Sequence, residues 1–315
     1  MSQARTLNDI ALPDSLARIA DARIDACLES ASSAGVALAD AALWPGDARR
    51  VFACSEFVSE FCQQSPDALA AMLDSGALAK GHDGEGFDAV AHYRQLIEKS
   101  LAESDDPTVL MPVLRRLRRQ EWVRIAWRDI GGLADLDESV SDASAFAEAA
   151  IQIALERLHR RQCTDVGTPE SSTGEPQAMA VFALGKLGAG ELNFSSDIDL
   201  IFAFPEAGET RGKRRALSND EYFQRLARQL IKVLGERTAE GFVFRVDMRL
   251  RPFGTSGPLV MSFNALEDYY QVHGRDWERY ALIRARRVAG DIQSADALLD
   301  RLRPFVYRRY LDFGT

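Results

Sequence analysis

The sequence predicts an α+β protein: an all-helical N-terminal domain (residues 1–168), a domain with a small mixed sheet (169–290), and the start of a C-terminal helical segment (291–315). Two observations carry this reading. Up to about residue 165, Ala, Leu, Glu, Arg and Gln dominate, and apolar residues recur at helical spacing, as in Leu110, Val113, Leu114, Leu117 and Trp122. Beyond residue 177, short β-forming apolar runs alternate with amphipathic helical stretches.

The elements follow in order. Pro13-Asp14-Ser15, Ser65-Pro66-Asp67 and Asp106-Pro107 read as helix starts or interhelix turns, since short oxygen-bearing side chains cap free N–H groups and proline suits a first turn. Residues 81–86 form a polar, glycine-rich loop. Residues 114–129 form a basic amphipathic helix. Its arginines either face a phosphate-bearing substrate or, in the preferred reading, meet acidic neighbours such as Glu121 and Asp129 while Trp122 and Trp127 enter the core.

Residues 164–177, rich in Pro, Gly, Ser and Thr, read as a loop and the domain boundary. A short strand (179–184), a glycine segment (185–190) and a strand (198–204) ending at Pro205 come next, followed by a charged, flexible loop over 206–217. Ser218 opens a helix that runs through Phe223, Leu226, Leu230 and Val233 to Gly235. A strand is expected over 241–250, a helix capped by Ser262 through Tyr269 and Tyr270, and more helix from Asp276. The last residues resemble the interior of a folded chain, so the sequence is expected to be part of a longer protein.

Composition excludes several function classes. With 315 residues, 46% of them hydrophobic, the chain can bury a substantial core in two domains or one large one. A formal net charge of -9 argues against general nucleic-acid affinity. No apolar run approaches a membrane span, and the N-terminus lacks a signal-peptide pattern. Cys27, Cys54, Cys62 and Cys163 are scattered without a CxxC pair, as in a reduced cytoplasmic protein. His82, His92, His159 and His273 show no metal-ligand spacing, so zinc chemistry and Cys/His nucleophilic catalysis have little support.

The chemistry gathers around Ser195-Ser196-Asp197-Ile198-Asp199-Leu200-Ile201-Phe202. On a strand, Asp197 and Asp199 share one face, while Ile198, Leu200 and Phe202 share the other and enter a core. Two like charges so close repel unless a cation, most simply a divalent metal, lies between them. Ser195 and Ser196 can cap or tighten the turn that delivers the pair.

Ahead of the pair, Gly185, Gly188 and Gly190 permit either a phosphate-cradling backbone or a tight strand-to-helix turn; they form neither a Walker loop nor a dinucleotide fingerprint. Further on, Phe244, Val246, Met248 and Leu250 alternate with Arg245, Asp247, Arg249 and Arg251. Beside strand 198–204, Asp247 would complete a three-carboxylate cluster. The arginines then read either as phosphate-binding forks or as the solvated face of an edge strand. Three such carboxylates suit two hard divalent ions, Mg2+ or Mn2+, and the reaction class becomes nucleotidyl or phosphoryl transfer.

Leu184-Gly185-Lys186, followed by Asp197-Ile198-Asp199 and a distal Asp247, resembles the DNA polymerase β-like nucleotidyltransferase superfamily, with Lys186 where a second small residue is usual. The longer strings 185–202 (Gly-Lys-Leu-Gly-Ala-Gly-Glu-Leu-Asn-Phe-Ser-Ser-Asp-Ile-Asp-Leu-Ile-Phe), 246–259 and 276–286 resemble the bifunctional glutamine synthetase adenylyltransferase/adenylyl-removing family, in particular its N-terminal, adenylyl-removing half.

That resemblance implies a polymerase β-like catalytic domain that removes AMP from a tyrosine of glutamine synthetase by phosphorolysis, with phosphate entering and ADP leaving. It implies Asp197, Asp199 and Asp247 as metal ligands and catalytic residues. Gly185, Lys186, Ser196, Arg245, Arg249 and Arg251 are the candidate phosphate- and nucleotide-binding residues. Adenylylated glutamine synthetase is the implied protein substrate and the PII signal protein a regulator. Two alternatives stay open: forward adenylyl transfer from ATP, and a non-catalytic module that binds PII.

Overall fold

The computed structural model describes residues 11–81, 86–101 and 105–307, so most of the expected 81–86 loop and the last residues of the chain lie outside it. The chain divides into two compact units, residues 1–89 with 117–143 and residues 90–116 with 144–315. No helix among the described residues is long and apolar enough to cross a membrane.

The first unit is helical. Its helices are α1 (Asp14–Ser33), α2 (Ala48–Cys54), α3 (Glu56–Gln64) and α4 (Pro66–Asp74), and side chains cap the starts of α2 and α3. Asp47 and Ser55 accept hydrogen bonds from the N–H groups of Arg50 and Val58, and Pro66 occupies the first turn of α4. Ile24, Val51, Phe52, Phe61 and Leu69 bury around Trp127 of the long helix Pro107–Ile130. Trp44, Phe52 and Trp127 form a cluster with ring centroids 5.7–5.9 Å apart, and the Trp127 indole donates to the Pro45 carbonyl at 3.0 Å.

The basic stretch of that helix is structural. Arg124 pairs with Glu121 at 2.8 Å and with Asp142, and the Arg118 guanidinium lies 4.5 Å over the Trp122 ring. Of the two acids expected to meet the arginines, Glu121 does so; Arg128 instead pairs with Glu138 at 2.7 Å, a carboxylate in the next helix that meets both arms of its guanidinium.

The second unit holds α5 (Ala89–Ser100), residues of α6 (Pro107–Ile130) and α7 (Leu136–Val166), and the sheets. Strand β1 (Thr168–Ser171) pairs antiparallel with β4 (Gly208–Arg211). This corrects both loop assignments. Residues 164–177 contain the end of α7 and β1, and residues 206–217 contain β4. Neither strand carries an apolar alternation. Polar groups hold the ladder: buried Asn219 donates to the carbonyls of Glu170 and Glu206, and Gln177 accepts from the Glu206 N–H.

The main sheet is small and mixed, as expected. It comprises β2 (Ala180–Ala183), β3 (Ile198–Phe204), β5 (Val246–Asp247), β6 (Val260–Ser262) and β7 (Arg286–Ala289). The order is β5-β3-β2-β7, with β6 also on β3; β2 is antiparallel to β3 and β7, while β5 and β6 run parallel to β3.

From Leu200 to Phe204 both faces of β3 are covered, so this run is apolar without alternation. Phe204 stacks on Phe223 of α9 (Asn219–Gly235) at 4.9 Å. Phe182, Ile201 and Ala203 share a core with Leu266 and Tyr270 of α10 (Phe263–Val272), Leu282 of α11 (Asp276–Ile283), and Leu298 and Leu302 of α12 (Ile292–Val306).

Two expectations about strands are corrected here. The strand expected over 241–250 is reduced to Val246–Asp247: before it the Val243 and Phe244 N–H groups donate to the Leu234 carbonyl, and after it Asp247 accepts the Arg249 N–H at 2.8 Å and turns the chain. Strand β7, between the helix expected from Asp276 and the expected C-terminal helical segment, had no expected counterpart.

Candidate active site

The connection from β2 to β3 builds one wall of the site. A single helical turn, α8 (Gly185–Gly188), begins directly after β2, and the chain re-enters the sheet at Ile198. The glycines therefore occupy the strand-to-helix turn. Gly185 has φ +55°, and a Cβ there would lie 2.7 Å from Asp199 Oδ2. The backbone at this position thus lies against the Asp199 carboxylate, where a side chain would block it. Gly188 is small for a different reason: its Cβ would lie 2.1 Å from the Arg284 carbonyl oxygen. Lys186 is exposed on this turn.

The carboxylates come from two neighbouring strands. In the parallel β3–β5 ladder Asp199 is the register partner of Asp247, and Asp197 lies just before β3. Burial, and then the charges of Asp247 and Asp197, raise the Asp199 carboxyl above its ordinary pKa, with Arg249 opposing. Asp247 is lowered, chiefly by hydrogen bonding to the Arg249 side chain. The two register partners therefore have opposite electrostatic surroundings.

Arginines occupy the other two carboxylates. Arg245 pairs with Asp197 and donates to the Ser195 carbonyl at 2.6 Å. Arg249 forks onto Asp247, with Nε 2.8 Å from Oδ2. Among the described residues, no ion pair engages Asp199, and no three His, Cys, Asp or Glu side chains converge closely enough as they stand to hold a metal ion. The donor set itself is three hard carboxylate groups, which suits Mg2+ or Mn2+; as they stand, two of them, Asp197 and Asp247, are arginine-paired.

Ser196 donates to Asn193 Oδ1 and braces the turn before the pair. Arg251 is not brought to the carboxylates. It is buried and donates to the carbonyls of Met248 (2.6 Å), Thr255 (3.2 Å) and Gly257 (3.3 Å). It braces the loop in which Phe253 adopts φ 59°, a conformation costly for a bulky residue.

Residues 46–301 match the family described as glutamate-ammonia ligase adenylyltransferase. The chain belongs to this family. It is 56% identical over 266 residues to a Nitrosococcus oceani protein, an alignment covering 84% of this chain and 27% of that relative. It is 50% identical over 311 residues to a Pseudomonas aeruginosa protein (96% and 31%) and 45% identical over 305 residues to one from Thioalkalivibrio sulfidiphilus (97% and 30%). Each relative is named bifunctional glutamine synthetase adenylyltransferase/adenylyl-removing enzyme. The chain thus spans less than a third of the length of these relatives.

Sequence reasoning assigned no role to Arg286, which the structure puts under the glycine turn. From β7 its guanidinium donates to the carbonyls of Leu187 and Gly188, both at 3.3 Å, and pairs with Glu148 at 2.5 Å. Arg284 pairs with Glu191 at 2.7 Å beside the same segment. The signal was present as Arg284 and Arg286 at the end of the 276–286 string, but without β7 nothing tied them to the glycines.

Proposed function

We propose that this chain removes the adenylyl group from adenylylated glutamine synthetase by phosphorolysis, and that residues 169–290 form a polymerase β-like nucleotidyltransferase domain whose reacting groups are Asp197, Asp199 and Asp247. The observation that carries the reading is the in-register pair Asp199 and Asp247 on adjacent parallel strands, with Asp197 two residues before Asp199, in a chain of this family.

In the proposed reaction an oxygen of inorganic phosphate forms a bond to the adenylyl phosphorus. The bond from that phosphorus to the tyrosine oxygen breaks, the phenolate takes up a proton from solvent, and ADP and unmodified tyrosine result. Phosphate is already anionic at neutral pH, so the site needs no strong general base. It needs positive charge, because two anions must meet.

A divalent ion held by Asp197, Asp199 and Asp247 would supply that charge at the reacting oxygens. Arg245 and Arg249 are forks of the kind that bind phosphate, and Gly185 leaves the Asp199 carboxylate open to a ligand. Lys186 adds an exposed cation on the glycine turn. Arg251 acts one step removed, by bracing the 252–257 loop. Cytoplasmic location accords with four free thiols, Cys27, Cys54, Cys62 and Cys163. Regulation by PII rests on the family resemblance alone.

The family description favours a second reading, forward transfer of AMP from ATP, because the same carboxylates serve either direction at the same phosphorus. One assay separates the two. Adenylylated glutamine synthetase with phosphate and Mg2+ yields ADP under the first reading. Unmodified glutamine synthetase with ATP and Mg2+ gains AMP under the second.

A further inference from the structure

A cleft of about 660 Å³ lies between residues 213–217, α9 and the C-terminal end of α7, and shares no residue with the aspartate group. Five cations line it: Lys213, Arg214 and Arg215 from the loop, and Arg225 and Arg228 one turn apart on α9. Among the described residues, the acids lining the same space are Asp165 and Glu221. In a chain of net charge -9 this is a local reversal of sign.

No ion pair among the described residues engages any of the five cations; Arg228 donates to Gln224 at 3.1 Å. Crowded cations without counter-charges repel one another, and an anion relieves that repulsion. The loop is anchored at both ends. The Thr210 N–H donates to the Leu217 carbonyl at 2.8 Å, the Leu217 N–H donates to Thr210 Oγ1 at 2.9 Å, and β4 is paired to β1. The three consecutive cations therefore sit on a loop whose ends are fixed.

We propose that this cleft binds a nucleoside polyphosphate at a site separate from the aspartates. The volume is that of a nucleotide-sized ligand. The cations supply forks and point charges for a phosphate chain. Asp165 and Glu221 can accept hydrogen bonds from ribose hydroxyls, and Val166 and Leu217 offer apolar surface to a base. An extended nucleic acid fits less well, because it needs a basic stripe and the chain as a whole is acidic.

Calorimetric titration of the 315-residue chain carrying Asp199→Asn tests this, with ATP, inorganic tripolyphosphate and a single-stranded oligonucleotide as probes. The expected result is one ATP site, tighter than tripolyphosphate and weakened roughly tenfold or more by Lys213→Gln/Arg214→Gln/Arg215→Gln. The pair Arg225→Gln/Arg228→Gln, at exposed helix positions, must weaken ATP in the same way, with circular dichroism as the control for folding. ATP binding that neither set of changes affects overturns the proposal. Equal affinity for ATP and tripolyphosphate overturns nucleoside recognition. Preference for the oligonucleotide overturns the small-ligand assignment.

Discussion

Asp199 and Asp247 stand opposite each other on the parallel strands β3 and β5, and only one of them is neutralised. Arg249 forks onto Asp247, while Asp199 lies half-buried against Gly185 with its carboxyl pKa raised by burial and by its two acidic neighbours. A charge held in that position costs stability, and such costs concentrate at functional sites.

Replacing Asp199 should therefore separate activity from stability. Asp199→Asn removes the repelled charge while keeping the shape. Turnover should fall roughly 100-fold or more, while the thermal midpoint stays unchanged or rises. Steady-state kinetics and calorimetric melting of the same preparation check both halves.

Gly185→Ala probes the close approach from the other side. A left-handed alanine costs about 1–2 kcal/mol, and its methyl would meet Asp199 Oδ2. The expected outcome is a folded protein with a modest fall in urea midpoint and a much larger fall in activity. Activity retained at half the wild-type level or more would separate Gly185 from the chemistry.

Arg286 positions the glycine turn without touching the carboxylates. Arg286→Lys keeps a cation for Glu148 but cannot reach both the Leu187 and Gly188 carbonyls. Activity should fall on the order of tenfold, one charge-assisted contact's worth, with kcat affected more than KM. Arg286→Met should lose more of both activity and stability.

Arg115 tests the fold apart from the site. It is 1% exposed and donates to the carbonyls of Met111 (2.9 Å), Gly241 (3.0 Å) and Glu236. Arg115→Met leaves those acceptors unpaired and should cost about 3 kcal/mol, read as a lower urea midpoint at an unchanged slope.

His159 sets an acid limb of stability. Burial lowers its pKa from the ordinary 6.5, and its ring nitrogens face the Tyr222 hydroxyl at 3.0 Å and Cys163 Sγ at 3.7 Å. The unfolded chain takes up the proton first as pH falls, so stability declines below about pH 6.5 and levels off below the folded value. His159→Gln should reduce the difference in unfolding free energy between pH 7.5 and pH 5.

Much of this architecture was legible in the sequence, because strand 198–204 and the helices opened by Ser218 and Ser262 announce themselves through apolar period and caps. The sequence left the pairing of β3 with the Asp247 segment as a condition for a three-carboxylate cluster, and the structure supplies it, with Asp199 opposite Asp247. What escaped depends on contacts distant in sequence. β1 and β4 are held by Asn219 and Gln177 rather than by their own pattern. The alternation through Arg251 read as a strand, yet the Asp247 carboxylate captures the Arg249 N–H and ends it. Arg251 then turns inward to carbonyls that no local rule places near it.

The most direct test of the central claim follows labelled phosphate. Adenylylated glutamine synthetase is incubated with the chain, Mg2+ and radiolabelled inorganic phosphate, and the nucleotide product is separated. The account predicts label in the β-phosphate of ADP, one ADP per tyrosine released, and loss of that label with Asp197→Asn or Asp199→Asn. Unlabelled AMP as the product, or label undiminished in both variants, would contradict it.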